Sequence, residues 1–153
     1  MKMKRIVLML MSLVLTLPIM AGISSVDELF REYSGREGYK TVTLGRKMLS
    51  MISRDGKSSD VLDKVDQIRI LSTEMTDTAL VNSVVRLAED QYELISDNSE
   101  NEETTSFFIR EDKSGRKCFL MIAHRESQEI ILDIRGDFNI TEISKLKLSG
   151  LGK

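Results

Sequence analysis

The sequence predicts an α+β fold: a two-layer sandwich with one mixed, mostly antiparallel sheet, helices packed on one face, and a C-terminal β-meander followed by a helix. Two patterns lead to this prediction. The first two-thirds of the chain alternates helical apolar spacing with short β-branched segments. The last third reads as strands about 12 residues apart with short connections, which is typical of an antiparallel meander. We expect residues 22–153 to form this single domain.

The first predicted elements are a helix, a strand and a second helix. Ser24 and Ser25 can cap the first helix, whose apolar residues recur at i, i+3, i+4 and i+7: Val26, Leu29, Phe30 and Tyr33. Residues 39–44 alternate and are β-branched, which indicates a strand. The second helix should bury four apolar side chains: Met48, Leu49, Met51 and Ile52.

The middle of the chain predicts a short helix over residues 60–67, a brief strand over 68–71 and then the clearest helix. Thr76 or Asp77 opens that helix, and its apolar face consists of Leu80, Val81, Val84, Val85, Leu87 and Ala88. A right-handed crossover would let the first two strands lie parallel. Residues 92–96 fit either a helix end or a strand, and residues 97–103 are expected to form an acidic surface loop.

The last third predicts strands over residues 105–110, 118–124 and 129–135. Thr141 then begins a closing helix whose apolar positions are Ile143, Leu146 and Leu148. Asn139 or Thr141 should cap this helix, because Asn and Thr side chains accept hydrogen bonds from free N–H groups. Strands 105–110 and 39–44 are the candidate sheet edges, where a partner strand could add.

Residues 1–21 have the pattern of a secretory signal peptide. Lys2, Lys4 and Arg5 precede an apolar run, Pro18 breaks it, and Ala21 suits a cleavage site. The run is shorter than the roughly 20 residues that span a bilayer, although an uncleaved anchor is the alternative reading. No cysteine follows it, so we expect neither a lipoprotein nor a stable membrane anchor after cleavage. The expected location is the periplasm or the outer cell envelope.

Composition excludes several classes of function. The chain has 22 basic and 24 acidic residues and a formal charge of −2, which argues against a nucleic-acid partner. A single cysteine and a single histidine exclude a disulfide framework and sites that need several thiolates or imidazoles. Cys118 stands among apolar residues, so we expect it to be buried.

The order of segments resembles the exported Bacteroidetes proteins of the domain of unknown function 4252 family. The resemblance is carried by these segments in this order: residues 27–30, 39–44, 47–49, 68–71, 92–95, 107–111, 130–138 and 143–146. It implies a small cell-envelope protein of gut-type bacteria with no established activity and no catalytic motif to transfer. Members stand beside regulatory genes of the extracytoplasmic sigma-factor type, which implies a sensing or regulatory role.

Few residues are candidates for chemistry. Cys118 and His124 would share a strand face but lie about 20 Å apart, too far for a nucleophile pair. Asp60, Asp63 and Asp66 would share a helix face, but the glycine and terminal Glu of a calcium loop are missing. Capping and solvation explain these three carboxylates.

Asp133 and Asp137 are the best carboxylate pair for acid–base work, although a polar strand end explains them as well. The segments 35–38 and 45–47 lack the Gly-Lys-Ser/Thr ending of a phosphate loop. The sequence therefore assigns no catalytic, cofactor-binding or metal-ligating residue and implies no cofactor.

Two functions remain open. The first is a non-enzymatic protein-interaction or regulatory module that contacts an envelope protein partner. The alternative is a small-ligand-binding protein or a carboxylate-dependent hydrolase that uses Asp133 and Asp137 in a pocket between sheet and helices. The sequence leaves the oligomeric state open.

Overall fold

The computed structural model describes residues 22–54 and 59–145. The expected signal peptide lies outside these residues, as do Leu146 and Leu148 of the expected closing helix. The helices are α1 (Val26–Tyr33), α2 (Arg46–Arg54), α3 (Ser59–Leu62), α4 (Thr78–Gln91) and α5 (Ile140–Lys145). The strands are β1 (Tyr39–Gly45), β2 (Val65–Thr73), β3 (Glu93–Glu100), β4 (Glu103–Glu111), β5 (Lys117–Arg125) and β6 (Gln128–Gly136).

Side-chain caps begin three of the helices, as the sequence predicts. The Ser25 hydroxyl accepts from the N–H of Glu28, and the Asp77 carboxylate accepts from the N–H of Leu80. The side-chain oxygen of Asn139 accepts from the N–H of Glu142 at 2.9 Å. Each cap satisfies a backbone donor that the helix itself leaves free.

All six strands form one sheet in the order β1-β2-β6-β5-β4-β3. Every neighbouring pair is antiparallel. The α+β class and the C-terminal meander followed by a short helix are confirmed. The expected parallel pairing of β1 and β2 is wrong, because α2 and α3 return the chain to the end where β1 finishes and place Gln67 opposite Gly45.

Helices cover both faces of the sheet, and not one face as expected. We call the side under α1 and α4 the long-helix face. Its core contains Leu29, Leu80 and Val84 against Leu71 and Leu120. We call the opposite side the short-helix face, because the described helices that lie on it are the shorter α2, α3 and α5. Successive residues of β5 and β6 alternate between the two faces, so both sides of these central strands are apolar.

Two local predictions also differ from the structure. The helix expected over residues 60–67 stops at Leu62, because β2 already begins at Val65. Most of the expected acidic loop is strand and completes β3 and begins β4, while residues 93–96, which fitted either a helix end or a strand, form the start of β3. Asn101 and Glu102 turn this hairpin with positive φ angles of 50° and 68°, as a tight two-residue hairpin turn requires. The acidic composition of residues 97–103 favoured a loop, so the sequence did not predict this pair of strands.

Candidate functional site

A partly buried ion network, centred on the buried Asp133, lies on the long-helix face. Asp133 of β6 is 0% exposed, and its Oδ2 accepts hydrogen bonds from Arg69 Nε at 2.9 Å, Arg69 Nη2 at 2.6 Å and Arg135 Nε at 3.2 Å. Asp27 of α1 closes the network, because both Arg69 Nη2 and Arg135 Nη2 lie 2.8 Å from its Oδ1. Two carboxylates therefore balance two guanidinium groups, which is the usual condition for keeping charge away from water.

The network joins three elements, α1, β2 and β6. The Arg69 guanidinium also lies 4.6 Å from the ring centroid of Phe30, so it is held on one side by a cation–π contact. Burial raises the pKa of Asp27, but the charges of Arg135 and Arg69 outweigh burial and hold that pKa below its usual value. The network thus clamps α1 to the β2–β6 strand pair.

Asp133 and Asp137 lie in different environments. Asp133 is sealed beneath α1, whereas Asp137 follows β6 and is exposed. The backbone N–H of Asp137 donates to the carbonyl of Lys64 at 2.8 Å. A carboxylate that two arginines hold away from water is poorly placed to exchange protons with a substrate. The geometry gives Asp133 a structural role.

Cys118 and His124 stand on β5, six positions apart on the same side of the strand. Cys118 is buried, as expected, and burial raises the pKa of its thiol, which makes it less reactive. His124 Nδ1 lies 2.5 Å from Oε1 of Glu129, directly across the β5–β6 pair. Glu129 is only 3% exposed. Sequence reasoning missed Glu129, whose signal was its position across the short turn from His124.

The three aspartates of residues 60–66 do not share a helix face. Asp66 lies in β2, where its Oδ1 accepts from Arg46 Nη1 at 2.8 Å and its Oδ2 pairs with Arg116. Asp63 is exposed between α3 and β2. Within residues 22–54 and 59–145, no three His, Cys, Asp or Glu side chains group as metal ligands would.

An exposed apolar stripe lies on α2. Leu49 is the residue of this helix that enters the core, at 1% exposure. Met48, Met51 and Ile52 are 50%, 61% and 47% exposed, and we call these three residues the α2 stripe. The expectation that all four side chains are buried is therefore wrong for three of them. The cause is position, since α2 lies at the β1 end of the sheet and no described element covers its outer side.

Within residues 22–54 and 59–145, the sheet has two edge strands with no further strand beside them, β1 and β3. The prediction that residues 39–44 form an edge is confirmed. The prediction for residues 105–110 is wrong, because β3 pairs along that strand and moves the edge outward. Val42 of β1 is 47% exposed, and Leu94 of β3 is 53% exposed. Both edges therefore present apolar side chains as well as unpaired backbone groups.

A shallow polar cleft of about 550 Å³ lies between α1 and β1. Its lining includes Arg31, Thr41, Thr43, Gln67 and Arg69. Phe30 also lines the cleft, so its wall combines an aromatic ring with donors and acceptors that suit a small polar molecule.

The described parts of the chain define a class: an α+β protein with an open six-stranded antiparallel sheet, a partly buried ionic clamp and an exposed apolar stripe. The family model named Domain of unknown function (DUF4252) matches residues 33–146. The chain belongs to that family, as the order of its segments indicates. No curated protein matches the sequence significantly.

Proposed function

We propose that this chain is an exported cell-envelope protein that acts by contacting another protein and not by catalysis. The α2 stripe is the observation that carries the proposal. Large apolar side chains at helical spacing normally face a core, and here three of them face solvent beside the buried Leu49. Exposed apolar groups that cluster on one element are typical of protein interaction sites.

The partner surface should be apolar at its centre and acidic at its border. Lys47 is exposed next to the stripe, and the Arg46 side chain at the start of α2 is 66% exposed but already pairs with Asp66, so Lys47 is the main charge that this helix offers a partner. Residues 46–54 contain no acidic side chain. An acidic border on the partner would therefore be attracted to this helix while its apolar centre covers the methionines.

Export is supported by the charged and apolar start of the chain, residues 1–21. The helices within residues 22–54 and 59–145 are all too short or too polar to cross a membrane. The surroundings of Asp133 argue against the carboxylate hydrolase. Small-ligand binding in the cleft beside α1 remains the second candidate, favoured by the hydroxyl and guanidinium groups that line it.

A photo-crosslinking residue at position 51, in the full chain expressed in its own host, tests the contact function. Position 94 is the matched control, because Leu94 is similarly exposed at the opposite edge of the sheet. We expect position 51 to capture one defined envelope protein that position 94 does not capture. The purified partner should then bind the double variant Met48→Lys/Met51→Lys at least about tenfold more weakly than the parent chain or Leu94→Lys.

Two results would overturn the proposal. The first is equal capture from both positions. The second is a purified partner that binds the stripe variant as tightly as it binds the parent chain. Either result would shift attention to the polar cleft, and Arg31→Ala would then be tested for loss of small-molecule binding.

A further inference from the structure

The charged residues of the two edge strands have opposite sign. Residues 39–54 contain four basic residues and no acidic residue: Lys40 in β1, and Arg46, Lys47 and Arg54 in α2, where Arg46 pairs with Asp66 at 2.8 Å. Residues 93–103, which form β3, its turn and the first residue of β4, contain five acidic residues and no basic residue: Glu93, Asp97 and Glu100 in β3, and Glu102 and Glu103 after it. The whole chain has a formal charge of only −2, so the opposite charges of these two segments come from where the charged residues lie along the chain and not from a large net charge.

The directions of the strands allow these edges to meet. Five successive antiparallel pairings separate β1 from β3, so the two edge strands run in opposite directions. A second copy in the same orientation would place its β3 edge beside the β1 edge of the first copy as an antiparallel neighbour. We propose that a second copy of this chain pairs in this head-to-tail manner and extends the sheet.

The charges of β1 and β3, and the sheet face on which their residues lie, favour one pairing register between the two copies. Residues 40, 42 and 44 of β1 share the short-helix face with residues 96, 98 and 100 of β3, as the registers across the sheet show. Placing Lys40 opposite Glu100 keeps these faces matched and sets Val42 against Asn98. Lys40 and Glu100 form no hydrogen bond or ion pair within the described parts of the chain, so both are available.

The same charges disfavour symmetric pairing. Two β1 edges would offer Lys40 no acidic partner, and two β3 edges would bring Glu93, Asp97 and Glu100 of both copies together. Like charges facing each other across strands are destabilising. Only the head-to-tail combination is attractive, and such an interface repeats without closing unless rotation forms a ring. Because exposed ion pairs contribute little each, the association should be weak and sensitive to salt.

This inference goes beyond the proposed function, because it uses the sheet edges and not the α2 stripe. Sedimentation of the full chain recovered from its host should show an average mass that rises past the dimer with concentration at ~50 mM salt and falls toward the monomer at ~0.5 M. Lys40→Glu and Glu100→Lys should each weaken the association at least about fivefold. Glu89→Lys, an equal charge change on an exposed position of α4, is the control and should leave it unchanged.

Exchanging the two charges between the edges distinguishes a lost interface from a folding defect in a single variant. An equal mixture of Lys40→Glu and Glu100→Lys chains should associate again, since each edge then meets an opposite charge. The double variant should associate alone. A chain that stays monomeric at every concentration would overturn the inference, and so would association that ignores both variants or singles that do not rescue each other. Crosslinking from position 51 to another protein would persist in Lys40→Glu, which keeps the two proposals distinguishable.

Discussion

The two faces of the sheet differ in how completely they are covered. On the long-helix face, α1 and α4 bury Leu29, Leu80 and Val84 to 1% exposure or less, and the ion network closes the remaining gap. On the short-helix face, α2 buries Leu49 but leaves the α2 stripe in solvent. The difference teaches that both faces contain a buried core, and that the short-helix face also leaves apolar side chains of α2 exposed.

The largest expected effect comes from breaking the ion network. Asp133→Ala leaves Arg69 and Arg135 without their buried partner, and we expect the free energy of unfolding to fall by about 3–5 kcal/mol. Asp137→Ala, at the exposed carboxylate of the same segment, should cost less than about 0.5 kcal/mol. Urea unfolding of both variants measures the difference. Equal effects at the two positions would contradict the structural role of Asp133.

Truncation of matched apolar residues compares the two faces directly. Leu80→Ala on α4 should cost about 2–5 kcal/mol, because Leu80 is 1% exposed and its removal leaves a cavity. Met51→Ala on α2 should change the free energy of unfolding by less than about 0.5 kcal/mol. Denaturant melts of the two variants give both values. A Met51 variant as unstable as the Leu80 variant would mean that the stripe belongs to the core.

Substitution of Gly136 tests the close contact between the end of β6 and the start of β2. A Cβ at Gly136 would meet the carbonyl oxygen of Lys64 at 2.2 Å and Cα of Val65 at 2.8 Å. Gly136→Ala should therefore destabilise the protein by about 1–3 kcal/mol. Gly45→Ala is the control, because a Cβ there meets nothing within 4 Å. Thermal unfolding of the pair should separate them, and a neutral Gly136 variant would refute this close approach.

The smallest expected effect is a loss of unfolding free energy at alkaline pH. The Tyr39 hydroxyl donates to Asp77, and this hydrogen bond, with burial, raises the pKa of Tyr39 to about 12. Since the raised pKa favours the neutral phenol, its contribution to stability is complete below the unfolded pKa near 10 and is lost as pH rises through about 12. Tyr39→Phe cannot ionise at this position, so its free energy of unfolding should fall less over this pH range than that of the parent chain. Unfolding free energies between about pH 9 and pH 12 test it, and an unchanged slope would contradict it.

Much of the fold could be predicted from periodicity. The i, i+3, i+4 spacing of α1 and the caps at Ser25 and Asp77 are local signals, and they place both long helices. The pairing of β1 with β2 and the extent of β3 depend on distant partners, which no local pattern encodes. Acidic residues favoured a loop over residues 97–103, but antiparallel pairing with β4 stabilises a strand over residues 97–100.

The candidate surfaces were only partly visible in the sequence. The apolar positions of α2 could be read, but their exposure could not, because the same spacing describes a helix that faces a core. Asp133 could be singled out as a carboxylate. Its pairing with Arg69 depends on a strand register 64 residues away along the chain. Burial and charge pairing are tertiary properties, and they decide what each residue does.

The central claim is that the α2 stripe serves contact and not stability, and one double variant tests it most directly. Met48→Lys/Met51→Lys should be measured both for its free energy of unfolding and for its affinity for the protein captured from position 51. We predict an unfolding free energy within about 0.5 kcal/mol of the parent chain, together with an affinity at least about tenfold lower. A large loss of stability, or unchanged affinity, would contradict the claim.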